Sequence, residues 1–172
     1  MTHVYAIQDF HEFYGRWSPS VLTYCQLFLG DRDVAEEATA DTFFNYFSEV
    51  GKLFNGIKEL PLDRLPLSLL RTAIRETRRR WSTLAPTATG GVELEDTLAD
   101  LPITERSVFI LRGALQLDVE QTAAVTGFSK DDVQALWVRA LLRVKEIWLD
   151  GPKDEGSSRS PIADACLRSE GV

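Results

Sequence analysis

Four arginines on one stretch carry the clearest chemistry in the chain. In residues 69–81, LLRTAIRETRRRW, Arg71, Arg75, Arg78 and Arg79 fall at i, i+4, i+7 and i+8, so a helix would line them along one side. Leu70, Ile74, Thr77 and Trp81 share the other side. A guanidinium is planar, permanently charged and rich in donors, which suits it to tracking phosphates. Arg80 and the Trp81 indole complete the segment, and an aromatic ring beside a basic stripe is suited to base stacking. Three other uses fit the same pattern. They are a solvated charged face, cations complementing a helix C-terminus, and a membrane-surface helix, although the last wants a wider apolar face.

Catalytic chemistry is not expected. The two histidines, His3 and His11, lie near the N-terminus with no neighbours in a triad or dyad arrangement. Gly90-Gly91 is a lone pair beside acidic residues, a linker pattern rather than a phosphate cradle. Cys25 and Cys166 have neither metal nor redox spacing. No catalytic residue, metal or cofactor is assigned, and the chain is not expected to be an enzyme.

Two further segments have surfaces suited to binding. Residues 30–50, GDRDVAEEATADTFFNYFSEV, open with a break at Gly30 and an N-cap at Asp31. Ala35, Ala38, Thr42, Phe43, Tyr46 and Val50 share one helical face; Glu37, Asp41, Phe44 and Ser48 fall opposite. This is either a core helix with a solvated acidic side or, through Phe44 among carboxylates, a partner surface. Residues 101–148 contain two capping patterns, Asp118/Gln121 and Ser129/Asp132, separated by Gly127, which suits a left-handed turn. A short helix, a glycine turn and a longer capped helix make a helix-turn-helix. The longer helix is expected to bury Val133, Trp137, Ala140, Val144 and Trp148, and to turn Asp131, Gln134, Ala135, Val138, Arg139, Leu142 and Arg143 outward. Gln134 suits an adenine edge, and Ala135 or Val138 a thymine methyl.

The elements that must carry these groups are helices. Strict alternation of apolar and polar residues is absent, while 3.6-residue periodicity recurs. The expected fold is all-α, with two small helical domains at 1–82 and 101–150, a flexible acidic linker at 83–100 and an unordered tail at 151–172. Residues 51–66 read as a loop. The chain has 172 residues, 44% of them hydrophobic and 26% charged, which excludes global disorder. Its net charge of −7 is not the usual footprint of a nucleic-acid binder, so the arginine stripe is a local exception. No apolar run approaches the ~18 residues of a membrane span, no secretion signal is seen, and two cysteines suit a reducing cytoplasm.

GDRDVAEEATADTF (30–43), LPITERSVFILR (101–112) and LDVEQTAAVTGFSKDDVQALWVRAL (117–141) occur in an order that resembles the extracytoplasmic-function (ECF) group of bacterial RNA polymerase sigma factors. The resemblance implies a region-two-like helical bundle, a region-four-like helix-turn-helix domain and a role in transcription initiation. It implies that Glu36, Glu37, Ala40, Asp41 and Phe43 dock on core RNA polymerase, with the residue-level reading adding Phe44. It implies that Arg71, Arg75, Arg78, Arg79 and Arg80, with Trp81 beside them, meet the minus-ten element of promoter DNA. The linker would run toward the polymerase active-site cleft. Ser129, Lys130, Gln134, Ala135, Val138, Arg139 and Arg143 would meet the minus-thirty-five element.

The chain departs from the family at telling places. Ala40 stands where the family has glutamine. Arg75 stands where it usually has asparagine, which alters the expected base recognition at the minus-ten element. Residues 101–150 carry six basic against seven acidic side chains, so the phosphate attraction of the recognition helix is thin. Ala135, Val138 and Leu142 make an apolar strip suited to a protein contact: an anti-sigma factor, the chain's own first domain or a polymerase element. An alternative function is therefore a sigma-derived interaction protein that has lost minus-thirty-five recognition. A dimeric helix-turn-helix repressor would leave the arginine stripe unexplained. The same strip and the acidic linker suit a closed free form with the promoter surfaces covered.

Overall fold

The computed structural model of the chain describes residues 7–53, 65–83 and 94–150. The expected tail, residues 84–93 of the expected linker, His3, Gly90-Gly91 and Cys166 lie outside them. The described residues form helices and no strand, in agreement with the all-α expectation. In chain order these are α1 (Ile7–Leu29), α2 (Arg32–Leu53), α3 (Leu67–Trp81), α4 (Leu94–Ala99), α5 (Ile103–Phe109), α6 (Val119–Thr126) and α7 (Lys130–Asp150). A π-helical turn over Ile110–Ala114 continues α5.

Local chemistry sets the breaks. α1 ends at Gly30, whose φ of 71° is one that a side chain disfavours. The Asp31 carboxylate then accepts the Val34 N–H at 3.0 Å and caps α2. Ala35 and Ala38 are buried and small, so α2 packs closely on α1. The buried Thr39 and Thr42 hydroxyls donate to the carbonyls of Ala35 and Ala38 at 2.8 and 2.7 Å, which removes the cost of burying them. α2 runs through Leu53, so residues 51–53, expected in a loop, are helical.

In the second half, α6 opens with a complete capping box between Asp118 and Gln121. It closes at Gly127 with φ 80°. Ser129 Oγ accepts the Asp132 N–H at 3.1 Å to start α7. α7 buries Val133, Leu136 and Ala140, with Trp137 and Val144 half-buried. Trp148, expected in that buried row, is exposed, and its indole N–H donates to Thr97 Oγ1 at 3.1 Å. Among the described residues, short α4 is the element beside this end of the helix.

The two halves share one apolar core. Phe13, Tyr24, Phe28, Phe43 and Tyr46 from α1 and α2 and Leu69, Leu70 and Ile74 from α3 are continuous with Leu98, Ile110, Leu111, Val125 and Ala140. Leu98 belongs to α4, so the last part of the expected linker is helical and contributes a buried side chain. A small separate cluster of Val108, Val133 and Leu136 holds α5 to α7.

Arg106 sits at the junction of the halves and is buried. Its guanidinium donates to the Phe28 carbonyl at 2.9 Å, to the Leu101 carbonyl at 3.2 Å and to the Ala99 carbonyl. Phe28 and Ala99 lie at the C-terminal ends of α1 and α4, where carbonyls lack helical partners and the helix dipole is negative. The same group lies 4.1 Å from the centre of the Trp81 ring. One side chain of α5 thus ties together α1, α3 and α4. Desolvation lowers its pKa to about 10, against the raising effect of Asp100 and Tyr24.

Candidate nucleic-acid and protein interfaces

The outer face of α2 combines acid and aromatic surface. Glu36, Glu37 and Ala40 are exposed, and Phe44 is 72% exposed. Phe43, by contrast, is 2% exposed, with its ring against Tyr14 (centroids 4.7 Å apart) and Phe13. It is a core residue whose neighbours reach the surface. Phe10, Tyr14, Phe44 and Phe47 line a groove of about 530 Å³ between α1 and α2, with Ala40 and Phe43 at its wall. Sequence reasoning found Phe44 but missed Phe10 and Tyr14, whose i, i+4 spacing on α1 is the readable signal.

The arginines of α3 do not form the free stripe expected. Arg71 donates to the Ala124 carbonyl from Nε at 3.0 Å and Nη2 at 2.6 Å. It thereby caps the C-terminal turn of α6. Arg75 pairs with Glu49 at 2.8 Å and Arg79 with Glu76 at 2.8 Å. Arg80, 19% exposed, is held by Asp41, with Glu37 at 3.3 Å. Arg78 is half-buried, and its Nε and Nη2 have no hydrogen-bond partner among the described residues. The face of Trp81 is taken by Arg106, with its ring edge to Phe28. Base stacking on Trp81 therefore requires Arg106 to leave. The Arg75 and Arg79 side chains are 53% and 65% exposed, and the exposed Arg75–Glu49 pair is worth only about 0–1 kcal/mol, so a phosphate can compete with Glu49 for Arg75.

On α7, Gln134, Ala135, Val138, Arg139, Leu142 and Arg143 are all exposed, as their spacing requires. Ser129 serves the helix cap, and Lys130 pairs with Glu120 at 2.6 Å. Arg139 and Arg143 lean on Glu105 of α5, at 3.8 and 2.9 Å. With Leu141, the strip Val138–Leu142 is apolar and open to solvent.

Burial pushes the Tyr24 hydroxyl and the Cys25 thiol up to about 12, so both stay protonated and inert. Among the described residues no cluster of His, Cys, Asp or Glu could hold a metal ion. No described helix is long and apolar enough to cross a membrane.

No family model matches the chain, and no curated protein sequence does. Solved structures do. CnrH, in complex with the cytosolic domain of CnrY, superposes with a TM-score of 0.69 at 19% identity, over 85% of this chain and 90% of its own. The sigma factor RpoE, in complex with the anti-sigma factor NepR from Bartonella quintana, superposes with a TM-score of 0.63 at 19% identity, over 84% of this chain and 99% of its own. The chain has the fold of ECF sigma factors.

Proposed function

We propose that the chain is a transcription initiation factor that binds core RNA polymerase and directs it to promoter DNA, acting in the cytoplasm and without catalysing a reaction of its own. The observation that carries this is the conjunction, on a sigma-factor fold, of an arginine-bearing helix and a helix-turn-helix whose recognition face is open. The acid-rimmed aromatic groove around Phe44 is the polymerase-docking surface in this reading. Glu36, Glu37, Ala40 and Asp41 form its rim, and Phe43 supports it from the core. Arg71, Arg75, Arg78, Arg79, Arg80 and Trp81 serve the minus-ten element. Gln134, Ala135, Val138, Arg139 and Arg143 serve the minus-thirty-five element, with Ser129 and Lys130 at the helix start. The two regions act as separable domains during initiation.

The free chain is closed in this reading. Arg71 is committed to α6 and the Trp81 face to Arg106, so promoter engagement must part the halves. An anti-sigma factor is a fitting partner, since RpoE is bound by one. A second reading, an interaction protein that has lost minus-thirty-five recognition, is favoured by the apolar Val138–Leu142 strip. Gel filtration of the full chain with bacterial core polymerase tests docking. Co-elution that Phe44→Ala weakens supports it, and failure to co-elute overturns it.

A further inference from the structure

Two buried glutamates stand behind the exposed arginines in the same way. Glu76 of α3 has a side chain 5% exposed; Glu105 of α5 has one 6% exposed. Each faces a half-exposed arginine pair spaced i, i+4 on one helix. Glu76 Oε1 lies 3.7 Å from Arg75 Nε, and its Oε2 lies 2.8 Å from Arg79 Nη2. Glu105 Oε1 lies 3.8 Å from Arg139 Nε, and its Oε2 lies 2.9 Å from Arg143 Nε. One oxygen goes to each arginine in both places, with the C-terminal arginine closer; these are ion contacts without hydrogen-bond geometry, and neither Oε2 has a hydrogen-bond partner among the described residues. Asn45 Nδ2 donates to Glu76 Oε1 at 3.0 Å and fixes that carboxylate from α2.

A buried carboxylate is stable only when cations compensate it. A guanidinium has five donors in a planar fork, so one edge can face the buried carboxylate while the rest reaches out. In Arg75 the outer Nη2 pairs with exposed Glu49 at 2.8 Å, and Arg79 Nη2 also lies 3.5 Å from Asp41, contacts that a phosphate can displace. The exposures divide that way: the carboxylates are inside and the arginines reach out.

We propose that Glu76 and Glu105 are positioning residues, each holding a pair of arginines by charge on the face that meets nucleic-acid phosphates. This rests on the promoter-binding reading above. The carboxylates do not compete with the phosphates. They remove side-chain freedom that the arginines would otherwise lose on binding, a cost of about 0.5–1.5 kcal/mol per ordered long side chain.

The test uses the full chain assembled with bacterial core polymerase. A labelled mixed-sequence duplex with a single-stranded tail is bound across about 50–200 mM salt, and the signal of core alone is subtracted. Arg75→Ala and Arg79→Ala should each weaken binding and flatten the salt slope by about 0.7–0.9 per lost phosphate contact. Glu76→Gln keeps the shape and can keep the Asn45 bond, yet offers Arg79 no charge. It should weaken binding about fivefold at an unchanged salt slope, and this loss should vanish when Arg75 and Arg79 are already alanine. Glu105→Gln should do the same through Arg139 and Arg143. If Glu76→Gln does not fold, Asn45→Ala, which frees the carboxylate, should give a smaller loss of the same kind. Unchanged or tighter binding by the glutamine variants, or a loss that persists without the arginines, overturns the positioning role alone. Arginine variants that bind as the wild type does, or no signal above core, overturn the promoter-binding reading and the inference with it.

Discussion

Replacing Arg106 by methionine should loosen the junction between the two halves more than it harms either half. Arg106 supplies donors to the carbonyls of Phe28, Ala99 and Leu101. Leaving a buried carbonyl unsatisfied costs about 1–3 kcal/mol. Relief works the other way. The fall of the arginine pKa to about 10 means that burial disfavours the charged form by about 3 kcal/mol, at about 1.4 kcal/mol per pKa unit. The methionine keeps some of the contact with Trp81 and Phe28. Three carbonyls at that cost, set against about 3 kcal/mol of relief, leave a net loss centred on about 3 kcal/mol, which for a chain of this size lowers Tm by roughly 6–12 °C.

Amide hydrogen exchange locates the effect. Amides at the C-terminal turns of α1 and α3 and in α4 should exchange much faster in the variant, while the middle of α2 and the α6–α7 pair keep most of their protection. Arg106→Lys should fall between, because one ammonium cannot reach three carbonyls at once. Wild-type stability in Arg106→Met, or a uniform loss of protection across all helices, would refute the view of Arg106 as the tie between halves.

Alkaline conditions should unfold the protein through two buried acids. Burial raises Tyr24 and Cys25 to about 12, so the folded state holds their protons longer than the unfolded chain does. Their contribution is full below about pH 9, is lost as pH rises through about 12, and should be reduced in Tyr24→Phe; denaturant midpoints against pH measure it. At the acid end, the Lys130 ammonium holds the Glu120 carboxyl below its ordinary value. The pair stabilises above the ordinary glutamate range and is lost as pH falls through the lowered folded value; an NMR titration should show the Glu120 pKa rising in Lys130→Met. Phe44→Ala should change the unfolding free energy by less than about 0.5 kcal/mol, since an exposed ring has little packing to lose; a larger loss would mean that the ring is structural.

Periodicity exposed much of this architecture in advance because local rules governed it. Gly30, Asp31, Asp118, Gln121 and Gly127 cap and turn as their types require, and the buried rows of α3 and of α2 as far as Tyr46 follow helical spacing, the side chain of Val50 lying outside the described residues. Phe43 and Phe44 were separated correctly as faces, but the motif resemblance drew Phe43 into the docking set although its ring is in the core. Trp148 was misplaced because a helical wheel describes a face, not whether a neighbour covers it. The arginines illustrate the larger gap. Glu76 lies between Arg75 and Arg79 in sequence and its pairing was readable. Glu49, Glu105 and the Ala124 carbonyl come from other helices, and only tertiary packing brings them to Arg75, Arg139, Arg143 and Arg71. Arg106 was hidden for the same reason: its partners lie as many as 78 positions away.

Run-off transcription with purified core polymerase, the full chain and a library of genomic DNA fragments tests the central claim most directly. Discrete transcripts with defined starts that appear only when the chain is added, and that fade in Arg75→Ala and Arg79→Ala, are the predicted result. A chain that binds core polymerase yet starts no specific transcript would contradict it.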